Sequence, residues 1–237
     1  MKNLIKFSFL FLFTLSFLGT AQAQKTLSDG SVTYEMKLDE SNPAAAMLAG
    51  ATMEFVFKGD MVKTSINMGM MMSMNIIMDN KAEKGMMLMS IPMMGKNIAV
   101  EMTQEDIQKA KEEQKTNQSK AKIEYFKKNK KKIAGYKCYK AVATLTGMPD
   151  PITLYITDKI KPAGQSQIQS QIPGLTGFPL MYEIKTQGMN ISFEASEVKN
   201  YSPDAADFEM TVPDGFEKLT MEELKEMGMG GMGGFGM

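Results

Sequence analysis

The stretch Thr52-Met53-Glu54-Phe55-Val56-Phe57-Lys58-Gly59-Asp60-Met61-Val62-Lys63-Thr64-Ser65-Ile66-Asn67-Met68 sets the architecture. Met53, Phe55 and Phe57 alternate with Thr52, Glu54 and Val56, and Val62, Thr64, Ile66 and Met68 resume the pattern. A period of two marks half-buried strands. Gly59-Asp60 between them suits a two-residue hairpin loop, because glycine accepts the positive φ of a primed turn. That loop predicts Lys58 opposite Met61, Phe57 opposite Val62, Phe55 opposite Thr64 and Met53 opposite Ile66. Every apolar row then lands on one face, so turn chemistry and hydrophobic parity agree on one register.

Reading outward, the same alternation recurs. Val32, Tyr34, Met36 and Leu38 predict a strand before the hairpin. Met70, Met72, Met74, Ile76 and Met78 share one parity, a polar loop spans 79–85, and Met87, Met89, Ile91 and Met93 return. This predicts a second hairpin with a contiguous apolar face. Further strands are expected at Lys96–Met102, Ala121–Lys127, Ile133–Leu145, around Ile152–Ile156, and on either side of Gln187-Gly188, with Lys128–Lys131 as a turn. Residues 159–179 read as loop, and Phe208–Phe216 as a strand end with a turn. Helical signals are few. Thr103 with Asp106 opens a charged run whose thin apolar face, Ile107 and Ala110, places it at the surface. Pro43–Leu48 and Glu222–Glu226 read as short helices, and the Gly/Met-rich end as a disordered tail. The sum is a mainly β (α+β) chain of about nine or ten antiparallel strands with one or two surface helices. A sheet that wide curls into a half-barrel.

The 237 residues hold 27 Lys, 27 Asp plus Glu, and neither Arg, His nor Trp. Without His there is no Ser-His-Asp or Cys-His pair and no imidazole metal site. Without Arg there is no guanidinium clamp for phosphate. The one Cys forms no internal disulfide, and Cys138 reads as a buried inert thiol. No enzyme, no cofactor and no nucleic-acid partner is expected.

Residues 1–23 have the three parts of a secretory signal peptide. Lys2 and Lys6 precede the apolar run 7–18, and Ala21-Gln22-Ala23 is a small-x-small cleavage site. That run is shorter than the roughly 20 residues a spanning helix needs. The expected organisation is a signal peptide over 1–23, one β domain over 24–220, and a short helix and tail over 221–237. The expected product is a soluble extracytoplasmic protein, periplasmic or secreted.

Three stretches carry a resemblance: Ile133-Ala134-Gly135-Tyr136-Lys137-Cys138-Tyr139-Lys140-Ala141, Ile172-Pro173-Gly174-Leu175-Thr176-Gly177-Phe178-Pro179-Leu180-Met181-Tyr182-Glu183, and Phe208-Glu209-Met210-Thr211-Val212-Pro213-Asp214-Gly215-Phe216. In this order, after a signal peptide, they resemble a secreted domain-of-unknown-function family of Gram-negative envelopes, of the number 4412 type. Its members look similar to the curved sheets of lipoprotein carriers in the LolA/LolB class. The resemblance implies a half-barrel with an apolar concave face over roughly residues 30–217. It brings no catalytic residues.

What remains is 26 methionines, clustered at 68–78, 86–94 and 221–237. Three readings stand. Met fills an apolar core as an adaptable hydrophobe. Alternatively Met70, Met72, Met74, Ile76, Met78, Met87, Met89 and Met93 line an open groove for a lipid-like or other apolar ligand. Alternatively thioether sulfur, a soft ligand, binds Cu(I). An open Met-lined cleft favours the groove, and a filled core favours a structural or interaction role. The run 120–140 holds nine Lys and one acid, Glu124. It reads as a solvated hairpin tip that discourages edge pairing, or as a peripheral membrane contact through Lys127, Lys128, Lys130, Lys131 and Lys132.

Overall fold

The computed structural model describes residues 26–38, 43–46, 48–117, 121–146, 148–186 and 189–227. The expected signal peptide, the Gln187-Gly188 turn and the tail from 228 lie outside the described residues. Along the chain run β1 (Gly30–Leu38), β2 (Thr52–Lys58), β3 (Met61–Asn67), β4 (Ser73–Asp79), β5 (Lys84–Ile91), β6 (Lys96–Met102), α1 (Gln104–Asn117), β7 (Ala121–Ile133), β8 (Tyr136–Leu145) and β9 (Ile152–Thr157). Then come α2 (Gln167–Gln171), β10 (Phe178–Thr186), β11 (Met189–Lys199), β12 (Glu217–Leu219) and α3 (Met221–Glu226). Pro43–Ala46 forms a 3-10 turn where a short helix was expected.

All strands join one sheet in the order β12-β6-β5-β4-β3-β2-β1-β11-β10-β9-β8-β7. Two meanders, β1–β6 and β7–β11, are stitched together by pairing β1 with β11. The sheet is antiparallel except where β12 lies parallel to β6. Among the described residues the sheet has twelve strands rather than nine or ten, and one of them, three-residue β12, is too short to show a period. The β2–β3 hairpin has the expected register at all four pairs.

The sheet curls strongly. Three ladder steps separate β2 from β10, about 14 Å in a flat sheet at ~4.8 Å per step. Yet the Phe178 ring lies 5.9 Å from Phe55 and 6.3 Å from Phe57. The Tyr34 hydroxyl on β1 donates to the Pro179 carbonyl on β10 at 2.8 Å, across β11. One apolar core therefore fills the inner face from end to end. A smaller cluster of Val56, Ile77 and Phe208 lies apart from it.

α1 connects β6, near one edge, to β7 at the other. Thr103 and Asp106 cap it as expected, with the Thr103 hydroxyl donating to Asp106 at 2.6 Å. Glu83 in the β4–β5 turn accepts from Gln104, Gln108 and Lys111. Ile107 is the buried residue of its thin face. Ala110 is exposed.

The Lys-rich run departs from expectation. Lys128–Lys131 is not a turn. β7 continues to Ile133, and the turn is Ala134-Gly135, with φ of 44° and 87°. Two positive φ values define the primed turn that matches strand twist. Lysines argue against strand by composition, but β7 is an edge strand, where charge is favoured. Between Phe126 and Lys130 the register breaks, and three residues, Lys127-Lys128-Asn129, bulge out.

Candidate functional site

The eight residues expected to line a groove separate into two groups. Met74, Met87 and Met89 are fully buried on the inner face, Met72 is buried just before β4, and Ile76 and Met78 are partly buried there. Pairing runs Met53–Ile66–Met74–Met89–Ile98 as one row across five strands, and Ile76 opposes Met87. Met70 and Met93 do not belong to that face. Met70 sits in the β3–β4 turn, 81% exposed, and Met93 in the 3-10 turn Pro92–Met94, 76% exposed. Asn67 pairs with Ser73 and Ser73 with Ser90, so both loops crown the same end of the sheet. Parity alone carried the pattern past the strand ends, where side chains leave the sheet.

The inner face is not an open cleft. Residues 159–177, expected as plain loop, enter it as a plug. Leu27 and Ile160 form a parallel bridge at its start. Ile168 and Ile172, four apart on α2 and its C-terminal cap, bury fully against the sheet. The backbone N–H and hydroxyl of Ser166 donate to Gln169, whose amide donates to the Gly177 carbonyl at 3.0 Å. Thr176 holds the far end, its N–H donating to the Tyr125 hydroxyl on β7 at 3.0 Å.

A narrow seam remains between plug and sheet. On one side of Ile168 it is lined by Met36, Met53, Ile66, Gln171, Tyr182, Ile184 and Phe193. On the other it meets Tyr34, Phe55, Thr64 and Ser166. Its larger part has a volume of about 20 Å³, space for roughly one water molecule. Tyr182 and Phe193 stack at 4.5 Å between ring centres, and Tyr34 meets Tyr182 edge-on at 6.2 Å. Burial pushes the Tyr34 hydroxyl well above its ordinary range, and Tyr182 and Cys138 push it further. Burial alone raises Tyr182. Both phenols therefore stay neutral, and the seam is uncharged.

Sequence reasoning missed this site because Gln167-Ile168-Gln169-Ser170-Gln171-Ile172 is polar by composition. The signal was the four-residue spacing of its two isoleucines, one face of a helical turn.

Cys138 is buried, and its thiol contacts the Tyr136 carbonyl at 3.7 Å. Burial pushes it up to about 12, against the Ile133 backbone hydrogen bond and Lys131, which pull it down. A thiol raised so far is held in its protonated, weakly nucleophilic form at neutral pH. Among the described residues no group of three His, Cys, Asp or Glu is placed to hold a metal ion. No helix among them is long and apolar enough to cross a membrane.

The five lysines expected to touch a membrane also separate. Lys131 turns inward to Glu194 on β11 at 3.1 Å, to the Met181 sulfur at 3.3 Å, and over the Tyr155 ring at 5.8 Å. Tyr155, Met181 and Glu194 form one cross-strand row. The distal half of β7 thus reaches across three strands with which it shares no ladder. The bulge at 127–129 provides the bend. Lys127, Lys128, Lys130 and Lys132 remain exposed.

No family model and no curated protein matches the chain, so the numbered envelope family is not confirmed. Solved structures do match. PNGF-II is similar at a TM-score of 0.47 and 15% identity over 84% of this chain. The chain spans 32% of that protein's length. An uncharacterized conserved protein from Thermus thermophilus is similar at 0.43 and 9% identity, covering 81% of this chain and 90% of the other. A LolA superfamily protein from Nitrosomonas europaea is similar at 0.23 and 9% identity, covering 79% and 91%.

Proposed function

We propose that the chain is a non-enzymatic extracytoplasmic binding protein that takes an apolar, lipid-like ligand on its inner face, at the seam beside Ile168. The observation that carries this reading is the seam itself. Apolar and aromatic side chains line one side of Ile168, with Gln171 the exception. The opposing wall is a five-residue helix rather than a strand of the sheet. A helix that short contributes little stability of its own, so it is the part of the wall a ligand displaces most easily. The groove residues of the sequence reading then take a second place. Met74 and Met89 continue the row begun by Met53 and Ile66, and a ligand reaches them only as the plug moves out. Methionine re-packs around different shapes, which suits such a wall. The extracytoplasmic location is supported by the pattern of residues 1–23.

The test is a fluorescent acyl probe. Burying each CH₂ is worth ~0.8 kcal/mol, so a partly inserted chain reaches micromolar affinity after association costs. Ile168→Ala, which widens the seam, is expected to tighten binding several-fold. Absence of binding by both the parent and Ile168→Ala rejects the carrier reading.

Cu(I) is a second reading, favoured by one observation: the sulfurs of Met70, Met93 and Met94 stand on exposed loops that the core does not use. Replacing all three with Leu keeps the apolar surface and removes the ligands. Unchanged Cu(I) affinity in that variant rejects the rim as the metal site.

A further inference from the structure

The bent end of the β7–β8 hairpin carries charge that the fold leaves uncompensated. Lys132 and Lys137 stand directly opposite each other across the ladder. Like charges in that position destabilise a strand pair. Lys130 shares their side of β7, two residues from Lys132, and Lys127 and Lys128 occupy the bulge. All five are exposed. Among the described residues none of the five has an ion pair with an acid, whereas nearby Lys122 takes Glu124 and Lys131 takes Glu194. Lys127 lies only over the Tyr139 ring, at 5.9 Å. Phe126, at the start of the bulge, is 41% exposed. Beyond residue 23 the rest of the chain then holds 20 Lys against 27 acids, a net acid excess outside this end.

We propose that this hairpin end is a docking surface for an anionic lipid bilayer. Five of the six lysines between residues 127 and 137, all but Lys131, match the density at which a basic segment is held by anionic headgroups. Lysine is a point charge on a flexible stem, without the fork that reads one phosphate in a fixed geometry. Such a surface recognises a sheet of charge rather than a single partner. The exposed Phe126 ring adds an apolar contact at the headgroup boundary. A single aromatic beside Arg-free charge does not make a nucleic-acid surface. The acid excess over the rest of the chain orients the molecule, since only this end is attracted. Lys131, being spent on Glu194, is not part of the surface, and Lys137, on the partner strand, is. The proposal is independent of the apolar ligand at the seam.

The experiment is co-sedimentation of the protein with vesicles of phosphatidylglycerol and phosphatidylcholine, beside vesicles of phosphatidylcholine alone. Binding is expected to the first and not the second, and to vanish at about 0.5 M salt, where screening is nearly complete. The variant Lys128→Gln, Lys130→Gln, Lys132→Gln, Lys137→Gln is expected to lose about tenfold or more in partitioning, with a melting curve that is unchanged or slightly raised, because all four side chains are exposed and the Lys132–Lys137 repulsion is gone. A second variant, Lys81→Gln, Lys84→Gln, Lys161→Gln, Lys185→Gln, removes equal charge from exposed sites elsewhere and is expected to bind as the parent does. Equal loss in both variants overturns the proposal, because net charge and not this end then governs binding. So does a parent that ignores anionic vesicles, including one that binds soluble polyglutamate instead, the behaviour of a surface for an acidic protein.

Discussion

Met70 and Met74 are four residues apart in one methionine-rich run, and their surroundings are opposite. Met74 is 1% exposed and pairs with Ile66 and Met89 on the inner face. Met70 is 81% exposed in the turn that precedes β4. Met89 and Met93 repeat the contrast at 1% and 76%. The same side chain serves as core filler inside the ladder and as free apolar surface outside it. What separates the two is whether the backbone is still in a strand. Inside one, a neighbour across the ladder and the plug above exclude water. Beyond its end there is no wall for the side chain to meet.

The sharpest way to break this contrast is to place a charge at each site. Met74→Lys strands an ammonium among apolar neighbours, and the domain is expected to lose several kcal/mol, about 3–5, or to fail to fold. Urea unfolding monitored by circular dichroism measures it. A stable Met74→Lys would mean that the inner face is open to water. Removing volume is milder. Met89→Ala leaves a cavity and is expected to cost about 2–4 kcal/mol, seen as a lower denaturation midpoint with an unchanged slope. Chemical probes sharpen the contrast without mutation. Under dilute peroxide, Met70, Met93 and Met94 are expected to oxidise before Met74, Met87 and Met89, read by peptide mass mapping, since oxidation of Met follows exposure. In the same protein Cys138, held protonated by burial up to about 12, is expected to stay unlabelled by iodoacetamide at about pH 8 until urea is added. Labelling of the native state under those conditions would place it outside the core. The smallest effect belongs to the rim. Met70→Ser with Met93→Ser is expected to change stability by less than about 0.5 kcal/mol, and a larger loss would show hidden packing there.

The sequence was most legible where structure is local. The β2–β3 register follows from two adjacent turn residues and one parity, and it holds at every pair. The β4–β5 hairpin forms where alternation placed it, but its turn is shorter than the expected 79–85 loop, because Asp79 pairs with Lys84 and Met78 with Gly85, and this sets Met74 opposite Met89. The α1 cap rests on two residues three apart. Legibility failed where one force masked another. In β7 the charge of an edge strand hid its strand character, so the turn fell on 128–131 instead of Ala134-Gly135. In the plug, glutamines hid two isoleucines that are fully buried. The candidate site was half legible. Its methionine row was readable as an apolar face, but Tyr34, Tyr182, Phe193 and Ile168 come together only through folding.

The amino-acid sequence by itself determined the class of sheet, the β2–β3 hairpin and the face its strands bury, because alternation and turn chemistry act between neighbours in the chain. It also determined the exclusion of His- and Arg-dependent chemistry, because those residues are absent. Only the tertiary structure decided that β1 joins β11. Only it decided that residues 159–177 fill the concavity, and that Lys131 reaches Glu194 while Lys132 does not. These depend on segments far apart in sequence. Their meeting is set by which curvature lets distant apolar faces exclude water together, a quantity that no local period encodes.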